Sequence, residues 1–144
     1  MTKETDIIII GAGPVGLFTV FEAGLLGLEC ILIDNLDKIG GQCSELYPEK
    51  PIYDIPGVPN QTAQEHVDAL VKQIEPFSYD LILNERVDEL SENNGSWTVA
   101  TNAGKRISTK KLVAFLTFPA VAVTEQSHVF EVALLPPFCA AHCQ

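Results

Sequence analysis

The chain has 144 residues, a formal net charge of −10, and 47% hydrophobic against 19% charged residues. That size and composition suit one soluble α/β-sized domain with a buried core. They exclude a membrane-spanning helix, which needs about 18 consecutive apolar residues, and the acidity argues against nucleic acid or an anionic membrane as partner.

The N-terminus lacks a long apolar segment behind a basic start. No signal peptide is therefore expected, and the cytoplasm is the expected location. The four cysteines, Cys30, Cys43, Cys139 and Cys143, form no CxxC pair and would stay reduced there. Cys139 and Cys143 flank His142, but two further ligands are missing, so no metal site is expected.

In chain order, Asp6 to Gly11 is a short apolar run ending in glycine and predicts a buried parallel strand. From Pro14 to about Leu26 the spacing is helical, with Leu17, Val20, Phe21 and Leu25 on one side. Pro14 suits a first helical turn and Gly27 a helix stop. Cys30 to Ile33 predicts a second buried strand, ending at Asp34, so residues 6–34 form a β-α-β unit.

Residues 35–60 are rich in Gly and Pro and predict a long functional loop. Thr62 and Glu65 form a capping box before a helix carrying Val67, Leu70, Val71 and Ile74, which Pro76 ends. Leu81–Leu83 and Arg86–Leu90 predict short strands. A hairpin follows, Trp97–Thr101 with Arg106–Lys110, and then a strand over Leu112–Phe115. Residues 116–144 contain no Lys or Arg and no glycine, and follow neither a helical nor a strand period.

The motif that carries chemistry is Gly11-Ala-Gly13-Pro-Val-Gly16. Alone, three such glycines recur by chance in roughly 5% of chains this long. Here they join a strand to a helix, and Asp34 closes the next strand 23 positions after Gly11. Gly11 permits the tight turn, Gly13 admits a pyrophosphate to the backbone, and Gly16 lets the helix pack on the sheet. The helix N-terminus offers N–H groups and partial positive charge to the phosphates. Asp34 can accept from ribose hydroxyls and repels a 2′-phosphate, which favours FAD or NAD over NADP. These residues leave the choice between FAD and NAD open.

Further on, Asp37-Lys-Ile-Gly-Gly-Gln-Cys43 and Leu46-Tyr-Pro-Glu-Lys-Pro-Ile-Tyr-Asp-Ile-Pro-Gly57 resemble the flavin loop of thioredoxin-reductase-like flavoproteins. The closer resemblance is to the thioredoxin-reductase-like type of ferredoxin–NADP reductase, over residues 6 to about 113. It implies a Rossmann-like FAD-binding α/β domain, a parallel sheet plus a small β-meander, incomplete here. In that family NADPH passes electrons through FAD to ferredoxin or flavodoxin, and homodimers are common. The resemblance places Pro14 against the FAD phosphates, Asp34 at the ribose, Gln42 and Tyr47 near the rest of the FAD, and Val87 at the adenine. Read from the residues alone, Tyr47 also fits a loop anchor and Val87 plain core. Cys43 reads as structural, because no second thiol lies nearby in sequence, and His66 as part of a solvated helix face.

The NADPH-binding unit of that family has no counterpart in this sequence, so no catalytic residue is assigned and enzymatic activity of the chain is left open. Residues 1–115 are expected to be the N-terminal part of the FAD/NAD(P)-binding domain. Residues 116–144 are expected to be an atypical tail, read in a shifted frame, because Phe115-Leu-Thr-Phe-Pro-Ala-Val-Ala-Val123 lacks the glycine of the family pattern. Three readings compete. The first is the family's flavin oxidoreductase or a thioredoxin reductase-like flavoprotein. The second is an inactive FAD- or ADP-binding fragment. The third, a small NAD-binding Rossmann protein, leaves residues 40–57 unexplained.

Overall fold

The computed structural model describes residues 3–114 and 122–123. The elements run β1 (Lys3–Ile10), α1 (Pro14–Leu25), β2 (Cys30–Ile33), α2 (Gln42–Glu45), β3 (Pro51–Ile52), β4 (Gln61–Thr62), α3 (Ala63–Ile74), β5 (Tyr79–Ile82), β6 (Val87–Asn93), β7 (Ser96–Thr101), β8 (Arg106–Ala114) and β9 (Ala122–Val123).

The described residues hold nine strands. Seven of them form one sheet in the order β5-β2-β1-β8-β7-β6-β9, and β3 pairs with β4 apart from it. The β5, β2, β1 and β8 strands are parallel neighbours. The β6, β7 and β8 strands form an antiparallel meander. The architecture is thus a Rossmann-like parallel sheet extended by a meander.

The four isoleucines of β1 explain how the layers form. Side chains alternate along a strand, so Ile7 and Ile9 join Leu32 and Cys30 against Leu17, Val20 and Ala23 of α1 and Val67, Leu70 and Ile74 of α3. Ile8 and Ile10 join Ile31 and Ile33 on the other face, under Val87, Leu90, Val99 and Ile107 of the meander. A strand covered on both faces must be apolar throughout. Burial also pushes the Cys30 thiol up to about 11, with the Asp80 charge adding to the shift, so this cysteine is a core residue with little thiolate character.

Several elements differ from the sequence expectation. Arg106–Lys110 and Leu112–Phe115 were expected as two strands, yet Arg106–Ala114 is one, pairing with β7 through its first half and with β1 along most of its length. The exposed Lys110-Lys111 pair breaks the apolar pattern. The ladder is carried there by Thr109, whose hydroxyl donates to Asp6 O at 2.8 Å and accepts from Lys111 N at 3.1 Å. On α1, Leu25 is 60% exposed, and the inward positions are Gly16, Leu17, Val20 and Ala23. His66 is half-buried, with Nδ1 3.2 Å from Gln61 Oε1, and burial lowers its pKa; it is not a freely solvated residue. The β6–β7 hairpin turns on Asn94 and Gly95, both at positive φ (52° and 77°), as a two-residue primed turn requires. Among the described residues no helix is long and apolar enough to cross a membrane. The Cys139, His142 and Cys143 group lies outside the described residues, as does nearly all of 116–144.

Candidate dinucleotide site

The glycine motif forms the turn between β1 and α1. Gly11 has φ 105°, a conformation few residues other than glycine adopt, and its N–H donates to Ile33 O at 2.8 Å. A side chain on Gly16 would strike the Gly11 carbonyl, so the helix reaches the turn only because position 16 has none. Gly13 is different. A Cβ there would meet nothing within 4 Å, so open space faces the backbone at this residue.

Gly13 is also the N-cap of α1, and no side chain caps that helix. Pro14 follows at the first helical position and has no N–H to satisfy. The remaining first-turn N–H groups sit beside the open space with the positive end of the helix dipole. Backbone exposed by a missing side chain, next to uncapped donors, fits a pyrophosphate.

Asp34 ends β2 beside this turn. Its Oδ2 accepts from Ala12 N at 2.6 Å and its Oδ1 from Leu36 N at 2.9 Å. Its own N–H donates to Ile82 O at 2.9 Å, and its carbonyl accepts from Glu85 N at 3.1 Å. Each carboxylate oxygen keeps acceptor capacity beyond its one backbone donor.

A second glycine pair grips the turn from the loop side. Gly40 (φ 116°) donates to Ala12 O at 2.8 Å, and a Cβ on Gly41 (φ 57°) would lie 3.1 Å from Gly13 Cα. Gln42 begins α2 directly after this contact and is exposed. Ser44 is buried in the notch left by Gly40, and its hydroxyl is unpartnered. Cys43 packs half-buried against the first core cluster.

The structure therefore brings Gly11, Gly13, Pro14, Gly16 and Asp34 together, with Gln42 at the border. Val87 starts β6 two residues after the Glu85 amide that bonds Asp34. Its side chain is 4% exposed in the second core cluster, so the core reading is right for the side chain and only the main chain is left for a ligand. Tyr47 is 48% exposed, with Lys50 Nζ 5.7 Å from its ring centroid. Sequence reasoning passed over Glu85 and Thr101. The signal available was a carboxylate one residue before the Arg86–Val87 strand start, with a threonine at the end of the facing strand.

No family model matches the chain. A ferredoxin–NADP reductase of Pelagibacter ubique is 54% identical over 110 residues, which is 76% of this chain and 32% of that protein. One of Paraburkholderia xenovorans is 54% identical over 102 residues, 70% of this chain and 29% of that protein. Over 70–76% of its length the chain is thus similar to one part of these ferredoxin–NADP reductases. It spans about a third of the length of these relatives. A ferredoxin–NADP reductase 1 of Cupriavidus metallidurans is 45% identical over 143 residues, which is 89% of this chain and 40% of that protein.

Among solved structures, a thioredoxin reductase of Streptococcus pyogenes matches with TM-score 0.69 at 20% identity, over 85% of this chain and 39% of that one. A thioredoxin reductase of T. acidophilum matches with TM-score 0.67 at 17% identity, over 78% and 35%. These two likenesses show the fold of the chain and nothing beyond it.

Proposed function

We propose that this chain forms the FAD-holding part of a flavoprotein oxidoreductase of ferredoxin–NADP reductase type. The single observation that carries the reading is the uncapped N-terminus of α1 facing open space at Gly13. Bound there, FAD would supply the redox chemistry by which a reductase of this type would couple NADPH to ferredoxin or flavodoxin. The chain's own residues bind and orient it. Gly13 admits the pyrophosphate, and the first-turn N–H groups of α1 donate to it. Asp34 accepts from the adenosine ribose and disfavours a 2′-phosphate. The main chain at Val87 serves the adenine, and Gln42 and Tyr47 serve the rest of the cofactor.

The reading has two parts, holding FAD and turning over NADPH. The test separates the two. The chain is mixed with FAD, desalted and scanned for retained flavin absorbance, and then assayed for NADPH-dependent dye reduction. Retained flavin with dye reduction supports the reductase, and retained flavin without it supports the binding unit. Loss of flavin from the wild type overturns both. Gly13→Val is expected to abolish retention by filling the pyrophosphate position; unchanged retention would remove the phosphate assignment.

A further inference from the structure

We infer that Glu85 is a positioning residue for the adenosine end of the site, holding the β5–β6 link on Asp34 from a support in the meander. The inference rests on the dinucleotide reading above. Among the described residues, main-chain bonds tie the link to the site. Asn84 N donates to Leu36 O at 3.0 Å and Glu85 N to Asp34 O at 3.1 Å. Asn84 lies at φ 59°, a turn that asparagine tolerates better than most residues. The far end of the link is held by the meander.

The Glu85 side chain adds a charged support there. It accepts from Thr101 Oγ1 at 2.8 Å and from the Lys105 ammonium. Thr101 is a buried residue at the end of β7 and pairs with Val87. Its N–H donates to Lys105 O at 3.0 Å, and its hydroxyl accepts from Lys105 N at 3.3 Å. The Glu85 side chain is 12% exposed, unlike the acids of the other described ion pairs, so this contact is less screened by water. The hydrogen bond from Lys105 is the main cause that holds the Glu85 carboxyl below the usual carboxylate range. Next to it, Asn102 N donates to Arg86 O at 2.9 Å and Arg86 N to Asn102 Oδ1 at 3.0 Å. A continuous chain of bonds thus runs from Ala12 in the phosphate turn, through Asp34 and Glu85, to Thr101 and Lys105.

The test compares wild type, Glu85→Ala, and the reversed pair Glu85→Lys with Lys105→Glu, all in the full chain. ADP affinity is read by calorimetry and amide exchange at position 85 by NMR without ligand. Glu85→Ala is expected to weaken ADP about tenfold, the scale of one lost charged hydrogen bond, and to speed exchange of its own amide. The reversed pair is expected to recover most of both. Unchanged ADP affinity in Glu85→Ala overturns the inference, and so does a reversed pair no better than Glu85→Ala. A wild-type chain that shows slow exchange at position 85 but binds no ADP overturns the dinucleotide reading itself, and the positioning role falls with it.

Discussion

The two long helices of this chain have the same length, 12 residues each, and begin in opposite ways. At the start of α3 every exposed donor finds a partner. Thr62 and Glu65 form a reciprocal capping box, Ala63 N donates to Lys50 O at 2.9 Å, and Gln64 N donates to Pro48 O at 2.9 Å. At the start of α1 there is a glycine, then a proline, with no side-chain cap and no acid in the first turn. A helix end that only has to be stable spends its neighbours on its own N–H groups. One that leaves them open, with space in front, is kept for an anion from outside. The contrast separates a supporting helix from the one proposed to bind, and it can be attacked from either end.

The largest effect is expected at Gly16. Its missing side chain is filled by the Gly11 carbonyl, a main-chain group that cannot rotate away. Gly16→Val should cost at least about 3 kcal/mol of stability, read from the midpoint of urea unfolding. A midpoint near wild type would mean that α1 can slide along the turn, and the geometry of the motif would need another explanation.

Asp34→Ala comes next. It removes the acceptor of Ala12 N and Leu36 N as well as the proposed ribose acceptor. FAD affinity should fall by about 1–3 kcal/mol, measured by fluorescence titration, and the unliganded protein should melt lower too. If stability falls while affinity holds, Asp34 braces the turn and the ribose contact is lost as an assignment.

How much of this was legible in the sequence depends on whether a residue's reason was local. The β-α-β unit was readable because the isoleucine run, the glycine turn and the strand-end acid all act within residues 6–34. The capping box was readable because Thr62 and Glu65 are three apart. Three features escaped. The unity of β8 depends on Asp6, which lies 103 residues from Thr109, so the Lys110-Lys111 pair looked like a break. The outward position of Leu25 depends on Gly24, where the Phe77 ring occupies the space of a side chain. Glu85 drew no reading, since its partners Thr101 and Lys105 are 16 and 20 residues away. Of the site, the turn residues came from spacing, while Gln42, Tyr47 and Val87 came from resemblance, because their roles follow no periodicity.

A smaller effect tests the supporting helix. Thr62→Ala removes the cap of α3 and should lower stability by about 1 kcal/mol, with FAD affinity unchanged. A loss of affinity would show that α3 and its loop carbonyls help to shape the site, and the clean division between the helices would fail.

The smallest effect on the fold, and the sharpest on the comparison, comes from giving α1 the start that α3 has. Gly13 has extended backbone (φ −74°, ψ −179°) and room for a side chain, so an aspartate can occupy it and accept from the first-turn N–H groups. Gly13→Asp should therefore raise the stability of the unliganded chain by a few tenths to about 1 kcal/mol. The same carboxylate occupies the donors and repels phosphate, so FAD retention should disappear. Thermal melting and desalting report the two halves separately. Higher stability with retained FAD would show that the cofactor does not sit on this helix end. Lower stability would show that the open N-terminus is strained rather than merely uncapped. Only the opposed pair of changes, a firmer fold and a lost cofactor, is what a helix held open for an anion predicts.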